Sequence, residues 1–262
     1  MNNPLNNINI LVTRPRHQAE GLCQLIDEQG GKAIALPTLE IVASDNLTQI
    51  QNTLASLEQF QWLVFISANA VNFALLANGG KIAPTKSARF VAIGQATAQA
   101  LLDAGLPVDV IPENGYNSEA LLATAQLQQL KGQRVLIIRG EGGREELATV
   151  LRARGASITY LSVYKRLLPQ LEDNCLNQLL IKRQLHVITI TSGEALQNLV
   201  TLVEPPQQFA LRELPLVVIS ERIKALATDL GFKRIAVSSS PANTAILETI
   251  IIVCNGGRAW PN

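Results

Sequence analysis

Chemistry in this chain has to come from hydroxyls, two matched arginines and one tyrosine, because stronger acid–base groups are sparse. His17 and His186 are the only histidines, and neither has a second ligand at a useful spacing. Neither a metal site nor a histidine triad is expected. Small or hydroxylated residues recur instead where a strand should turn into a helix. The turns are Thr13-Arg14-Pro15, Ser67-Ala68-Asn69, Gly94-Gln95-Ala96-Thr97, Arg139-Gly140, Thr191-Ser192-Gly193-Glu194 and Ser220-Glu221. Taken singly, each reads as a helix cap. A helix N-terminus also leaves amide N–H groups free and bears partial positive charge. Several facing one cleft would hold a ligand with many carboxylates. Arg14 and Arg139 could add charge at matching places, or be solvated surface arginines. Tyr164 is one of three tyrosines and sits in an extended-looking stretch. A phenol can give a proton to a leaving hydroxyl. The plainer reading is a half-buried aromatic.

The glycine-rich run RGEGGRE (139–145) follows a strand and precedes a helix. It lacks the lysine and hydroxyl of a P-loop and the register of a dinucleotide fingerprint. A tight turn that lets helix and sheet approach is the expected role.

The elements that must position these residues occur twice. Segment 11–36 lies over 136–161, with Arg14 over Arg139, Glu20 over Glu145, Gly30 over Gly155 and Leu36 over Leu161, an offset of 125 residues. The run from Phe65 lies over that from Ile190, with Ser67 over Ser192, and the run from Val91 over that from Val217. Short β-branched runs at 9–13, 62–67, 90–93, 134–139, 186–191 and 216–219 read as central parallel strands. Further strands are expected at 32–36, 108–111, 158–161 and 234–237. Apolar stripes such as Ala19, Leu22, Leu25 and Ile26 mark the helices between them. Glycines such as Gly30 and Gly155 mark their ends. Alternating β and α at this spacing predicts doubly wound parallel sheets, with ligands at the strand ends, in a cleft between two similar units.

Two proline-containing stretches, 36–41 and 163–169, occupy equivalent places and read as linkers between lobes or as edge strands. A net charge of +1 offers no global attraction for nucleic acid or acidic membranes. No stretch reaches the roughly 20 apolar residues of a membrane span, and the N-terminus has no signal-peptide pattern. Cys23, Cys175 and Cys254 are odd in number and far apart, so free thiols in a reducing cytoplasm are expected. The tail 254–262 lacks a period and should fray.

Several segments together resemble the uroporphyrinogen-III synthase family. They are ILVTRPRHQAEGL, FISANAVNFA, FVAIGQATAQALLDAG, YNSEALL, VLIIRGEGGREELATVLRARGASITYLSVYKR, ITSGEALQNL and VVISERIKALATDLGF, spanning residues 8–250. The resemblance implies a bilobal α/β protein of two flavodoxin-like, doubly wound domains joined by a two-stranded linker. One domain would combine 1–36 with 170–262, the other would hold 42–162, and 37–41 and 163–169 would connect them. It implies a cofactor-free lyase acting on hydroxymethylbilane, a linear tetrapyrrole with eight carboxylates. Loss of its hydroxyl gives an azafulvene cation, which closes through a spiro intermediate with ring D inverted. Tyr164 is expected to assist hydroxyl departure. Hydroxyls of Thr97 and Ser192, with main-chain groups near Ser67, Arg139, Gly140 and Ser220, are expected to bind substrate, with Arg14 adding charge. Where the family often has G-x-x-T-A, this chain reads Ser220-Glu221-Arg222-Ile223-Lys224, and Ser220 is expected to replace the missing hydroxyl. A monomer is expected, with at most transient contact with the preceding pathway enzyme. The alternative is a non-catalytic binding module for a small polyanionic ligand.

Overall fold

The computed structural model describes residues 3–85, 87–113, 115, 117–143, 145–170 and 174–256. Of the tail expected to fray, 254–262, residues 257–262 lie outside them and Cys254 ends the last helix. The first half of the chain runs β1 (Asn9–Val12), α1 (Arg16–Glu28), β2 (Lys32–Ala35), β3 (Glu40–Ala43), α2 (Leu47–Leu54), β4 (Trp62–Phe65), α3 (Ala68–Ala77), β5 (Arg89–Ala92), α4 (Gln95–Asp103) and α5 (Ser118–Leu122). The second half runs β6 (Arg134–Gly140), α6 (Glu146–Ala153), β7 (Ser157–Leu167), α7 (Cys175–Ile181), β8 (Val187–Ile190), α8 (Gly193–Leu202), α9 (Gln208–Glu213), β9 (Leu216–Val218), α10 (Glu221–Asp229), β10 (Ile235–Val237) and α11 (Asn243–Cys254).

The chain divides into two units. Unit 1 holds Met1–Glu40 and Leu167–Asn262, and unit 2 holds Ile41–Arg166. The sheet of unit 1 has the order β10-β9-β8-β1-β2, with every pairing parallel. Its strands are apolar on both sides because each face is covered. Helices α1 and α11 pack on one face around Leu22, Ile26, Ile246 and Ile250. Helices α7, α8 and α10 pack on the other around Leu176, Leu196, Leu199 and Ile223.

Unit 2 has the order β3-β7-β6-β4-β5, with β7-β6-β4-β5 parallel. One face packs on α3 and α4 through Ala70, Val71, Ala98 and Leu101. The other packs on α5 and α6 through Leu121, Leu147 and Leu151. Superposed by the sequence repeat, β7-β6-β4-β5 matches β2-β1-β8-β9. The order reverses between β1 and β8 in unit 1 and between β6 and β4 in unit 2. In open α/β sheets such reversal points open a crevice outside the carboxyl ends of the strands. Gly30 and Gly155 both end helices with positive φ, +80° and +88°, at equivalent places.

The units differ at their edges. The expected strand 108–111 makes a single parallel bridge, Val91 to Val110. The Asp109 carboxylate accepts the Phe90 N–H at 2.7 Å, taking a donor that a ladder carbonyl would otherwise hold. Of the two stretches read as linkers or edge strands, residues 36–39 are not strand, whereas 40–41 and 163–167 lie in strands. Residues 40–43 form β3, the edge strand beside β7, and 163–167 continue β7. The Ser44 N–H donates to the Val163 carbonyl at 3.1 Å, which anchors the end of β3 on β7.

Candidate active site at the strand ends

The reversal point of unit 2 gathers Ser67, Gly140 and Tyr164. Ser67 follows β4 and is the N-cap of α3. Its backbone is extended, and its Oγ accepts the Ala70 N–H at 3.0 Å. Gly140 ends β6. Tyr164 lies on β7 and is brought to this face by a bulge. Arg139 pairs with Ser162, but Gly140 pairs with Tyr164, so Val163 is an extra residue. Strict alternation would send Tyr164 to the face of Tyr160, which packs toward α5 and α6. The bulge turns it to the opposite face, with Leu161 and Val163.

Tyr164 is only 1 % exposed. Its ring lies against Phe73, centroids 5.6 Å apart, and against the bare Cα of Gly140. Its Oη is 3.2 Å from Ser67 Oγ and accepts a hydrogen bond from Arg166 Nη2 at 3.3 Å. The Arg166 guanidinium also stands 5.5 Å from the ring centroid, in cation–π range. Arg166 was not among the expected site residues. Its signal was its place two residues beyond Tyr164 on one strand, hence on the same side.

The Arg139 side chain is not the solvated surface arginine that is one of its two readings. It is 5 % exposed, and its donors go to Glu145 Oε1 at 3.1 Å, the Gly140 carbonyl at 3.2 Å and the Gly142 carbonyl. The guanidinium stacks 4.7 Å from the Tyr160 centroid. Tyr160 Oη donates to Glu145 Oε2, and this bond, ahead of Arg139, holds the Glu145 carboxyl below the usual range. Burial, then Glu145, pushes the Tyr160 phenol up. These contacts tie the Arg139 guanidinium to Gly140, Gly142 and Glu145 just beyond β6. Gly143 belongs to the same arrangement. Its φ is +101°, and a Cβ there would lie 2.7 Å from Arg139 Nη2. The glycine-rich run thus makes room for one ring and one guanidinium.

Beside this turn lies a cavity of about 230 Å³, lined by Ile66, Ile93, Ser118, Arg139, Tyr160 and Arg166 among others. It opens at the carboxyl ends of β4, β5 and β6. Thr97 lies in the first turn of α4, after β5, and is buried.

In unit 1 the remaining expected residues occupy the equivalent strand ends. Ser192 follows β8 and caps α8, accepting the Ala195 N–H at 3.0 Å. Ser220 follows β9 and caps α10, accepting the Ile223 N–H at 3.4 Å. Capping is therefore the observed role of all three serines. Arg14 follows β1, and burial lowers its pKa. It donates to Asn243 Oδ1 at 2.6 Å and the Pro241 carbonyl at 3.0 Å. Extending the repeat by three residues sets Leu39 over Tyr164, so the reversal point of unit 1 has no phenol there.

Among the described residues, no cluster of three or more His, Cys, Asp or Glu could hold a metal ion, and no helix is long and apolar enough to cross a membrane.

A family model described as uroporphyrinogen-III synthase HemD matches residues 20–248. The uroporphyrinogen-III synthase of Salmonella typhimurium is 34% identical over 253 residues, covering 93% of this chain and 100% of that protein. That of Escherichia coli is 34% identical over 248 residues, covering 93% and 100%. The fold is shared with a mutant uroporphyrinogen III synthase from the extremely thermophilic bacterium Thermus thermophilus, with TM-score 0.65, 16% identity and coverage of 95% of this chain and 99% of that one. It is also shared with the uroporphyrinogen-III synthetase of Helicobacter pylori, with TM-score 0.59, 17% identity and coverage of 93% and 98%.

Proposed function

The chain belongs to the uroporphyrinogen-III synthase family, lyases of tetrapyrrole biosynthesis, and we propose that it closes hydroxymethylbilane to uroporphyrinogen III with Tyr164 as its proton source. The observation that carries the assignment of Tyr164 is its placement. A β-bulge and a glycine without side-chain bulk set its hydroxyl among donors at the sheet's reversal point. The chemistry asks for one proton at the departing hydroxyl and for a coiled pose of a flexible chain. Positioned proton transfer typically contributes about 10²–10⁴-fold. Holding the two ends in register is a proximity effect worth several kcal/mol in well-oriented systems.

The carboxylate arms fall to the helix N-termini behind Ser67, Ser192 and Ser220, where amides and partial positive charge favour anions. Arg14 adds charge in unit 1, and the Thr97 hydroxyl and the main chain at Arg139 and Gly140 add contacts in unit 2. The side chain of Arg139 is assigned to the internal network instead. No cofactor enters this scheme.

The working unit proposed is a monomer in the reducing cytoplasm, with domains of 1–36 plus 170–262 and of 42–162. Sedimentation and limited proteolysis test these points. The family assignment disfavours the non-catalytic binding module. The deciding assay supplies purified protein with hydroxymethylbilane and separates the isomers. Type III product is expected, and formation of type I alone would remove the reading.

A further inference from the structure

The geometry points to Ser67 as a catalytic residue that stands between Tyr164 and the substrate, an inference that rests on the assignment of Tyr164 above. Tyr164 is enclosed, whereas Ser67 is half-buried at the start of α3, and their oxygens are 3.2 Å apart. The Ser67 Oγ accepts the Ala70 N–H and keeps its own proton to give. Arg166 can only donate, and it occupies one side of the phenol oxygen. The phenol proton therefore points away from Arg166, and Ser67 Oγ lies within its reach.

This makes a two-hydroxyl relay. As the C–O bond of hydroxymethylbilane breaks, its electron pair stays on oxygen and the Ser67 proton converts the leaving hydroxide to water. Tyr164 passes its proton to Ser67 Oγ, and the negative charge left on the phenol oxygen faces Arg166 Nη2. The organic product of this step is the azafulvene cation. When ring closure restores the last pyrrole, the proton it sheds returns through Ser67 to Tyr164, so the enzyme ends as it began. Arg166 gains most at the moment charge develops, because its hydrogen bond to the phenol then becomes a bond between opposite charges in an enclosed site. The repeat partner Ser192 sits where Leu39 replaces the phenol, so unit 1 has no counterpart of the pair among the described residues.

The cap and the relay can be separated by substitution. Asparagine caps helices about as well as serine but has no hydroxyl proton, and threonine keeps both properties. Ser67→Asn should keep the thermal midpoint near that of the parent, leave KM close to unchanged and lower kcat about a hundredfold. Ser67→Thr should recover most of the lost kcat. Tyr164→Phe should lower kcat similarly, and the double variant Ser67→Asn/Tyr164→Phe should be little slower than the slower single one, because one path is cut twice. Full kcat in Ser67→Asn, or losses that multiply in the double variant, would overturn the relay. Full activity in Tyr164→Phe alone would instead remove the assignment of Tyr164, whichever way Ser67→Asn behaved.

Discussion

Gly140 and Tyr164 are register partners across β6 and β7, and a Cβ on residue 140 would lie 2.5 Å from Tyr164 Cε2 and 2.6 Å from Cζ. The ring takes the space a side chain would fill, so its position depends on that space staying empty. Gly140→Ala should push the ring off its place and cost about 1–3 kcal/mol, as overpacking usually does. It should also lower kcat more than it raises KM. Thermal unfolding with steady-state kinetics measures both, and a variant with parental kcat would show that the ring need not sit there.

Removal of the phenol oxygen alone is milder for the fold. Tyr164→Phe loses the contacts with Ser67 and Arg166, about 0.5–1.5 kcal/mol if they behave as ordinary hydrogen bonds. The ring contact with Phe73 remains available. The expected result is a near-normal melting curve with slow turnover. Unchanged kinetics would take Tyr164 out of the chemistry.

Glu145 gives a pH signature. The Tyr160 hydroxyl first, and then Arg139, hold its carboxyl below the ordinary value. A depressed carboxylate stabilises the folded chain above its unfolded pKa, about 4.3 for glutamate. That contribution is lost as pH falls through the lower folded value. The parent should be more stable than Glu145→Gln near neutral pH, and the gap should close on acidification below about 4.3. Melting midpoints of the two proteins from acidic to neutral pH provide the check. A gap that stayed constant would mean the charge of Glu145 does not matter.

The three cysteines should react at different rates. Cys175 is exposed, whereas burial pushes the Cys23 and Cys254 thiols up, Asp27 adding to the effect at Cys23. Thiolate is the reactive form. A disulfide reagent at mildly alkaline pH should therefore label one thiol quickly and the other two slowly, with all three labelled in denaturant. Three equal rates in the folded protein would contradict the burial.

Much of this architecture was legible in residue pattern. The repeat foretold two similar sheets, and β-branched runs located most strands within a residue or two. Gly30 and Gly155 marked helix ends. Ser67, Ser192 and Ser220 were legible as caps. What could not be read depends on pairing between distant strands. Residues 36–41 and 163–169 look alike as extended, proline-bearing chain, and only the sheet shows that 40–43 and 163–167 are paired strands. The face on which Tyr164 lies depends on a bulge, and alternation along β7 would have sent it to the other side. Arg139 looked available because Glu145 and Tyr160 become its neighbours only once β6, β7 and the glycine turn are in place. Arg166 was within reach of the same reasoning, two residues past a singled-out tyrosine on extended chain.

The place of β1 between β8 and β2 in the sheet of unit 1 sets an order of events during synthesis. Its neighbour β8 begins at Val187, so everything in unit 2, Ile41–Arg166, leaves the ribosome first. At about 5–20 residues per second the oldest strand of the chain waits roughly 10–35 s for that neighbour, with one apolar edge bare. The amino-terminal βαβ segment is thus born first and enclosed last. A slowing of translation within 41–166 therefore lengthens the exposure of unit 1, although none of the altered codons belongs to it.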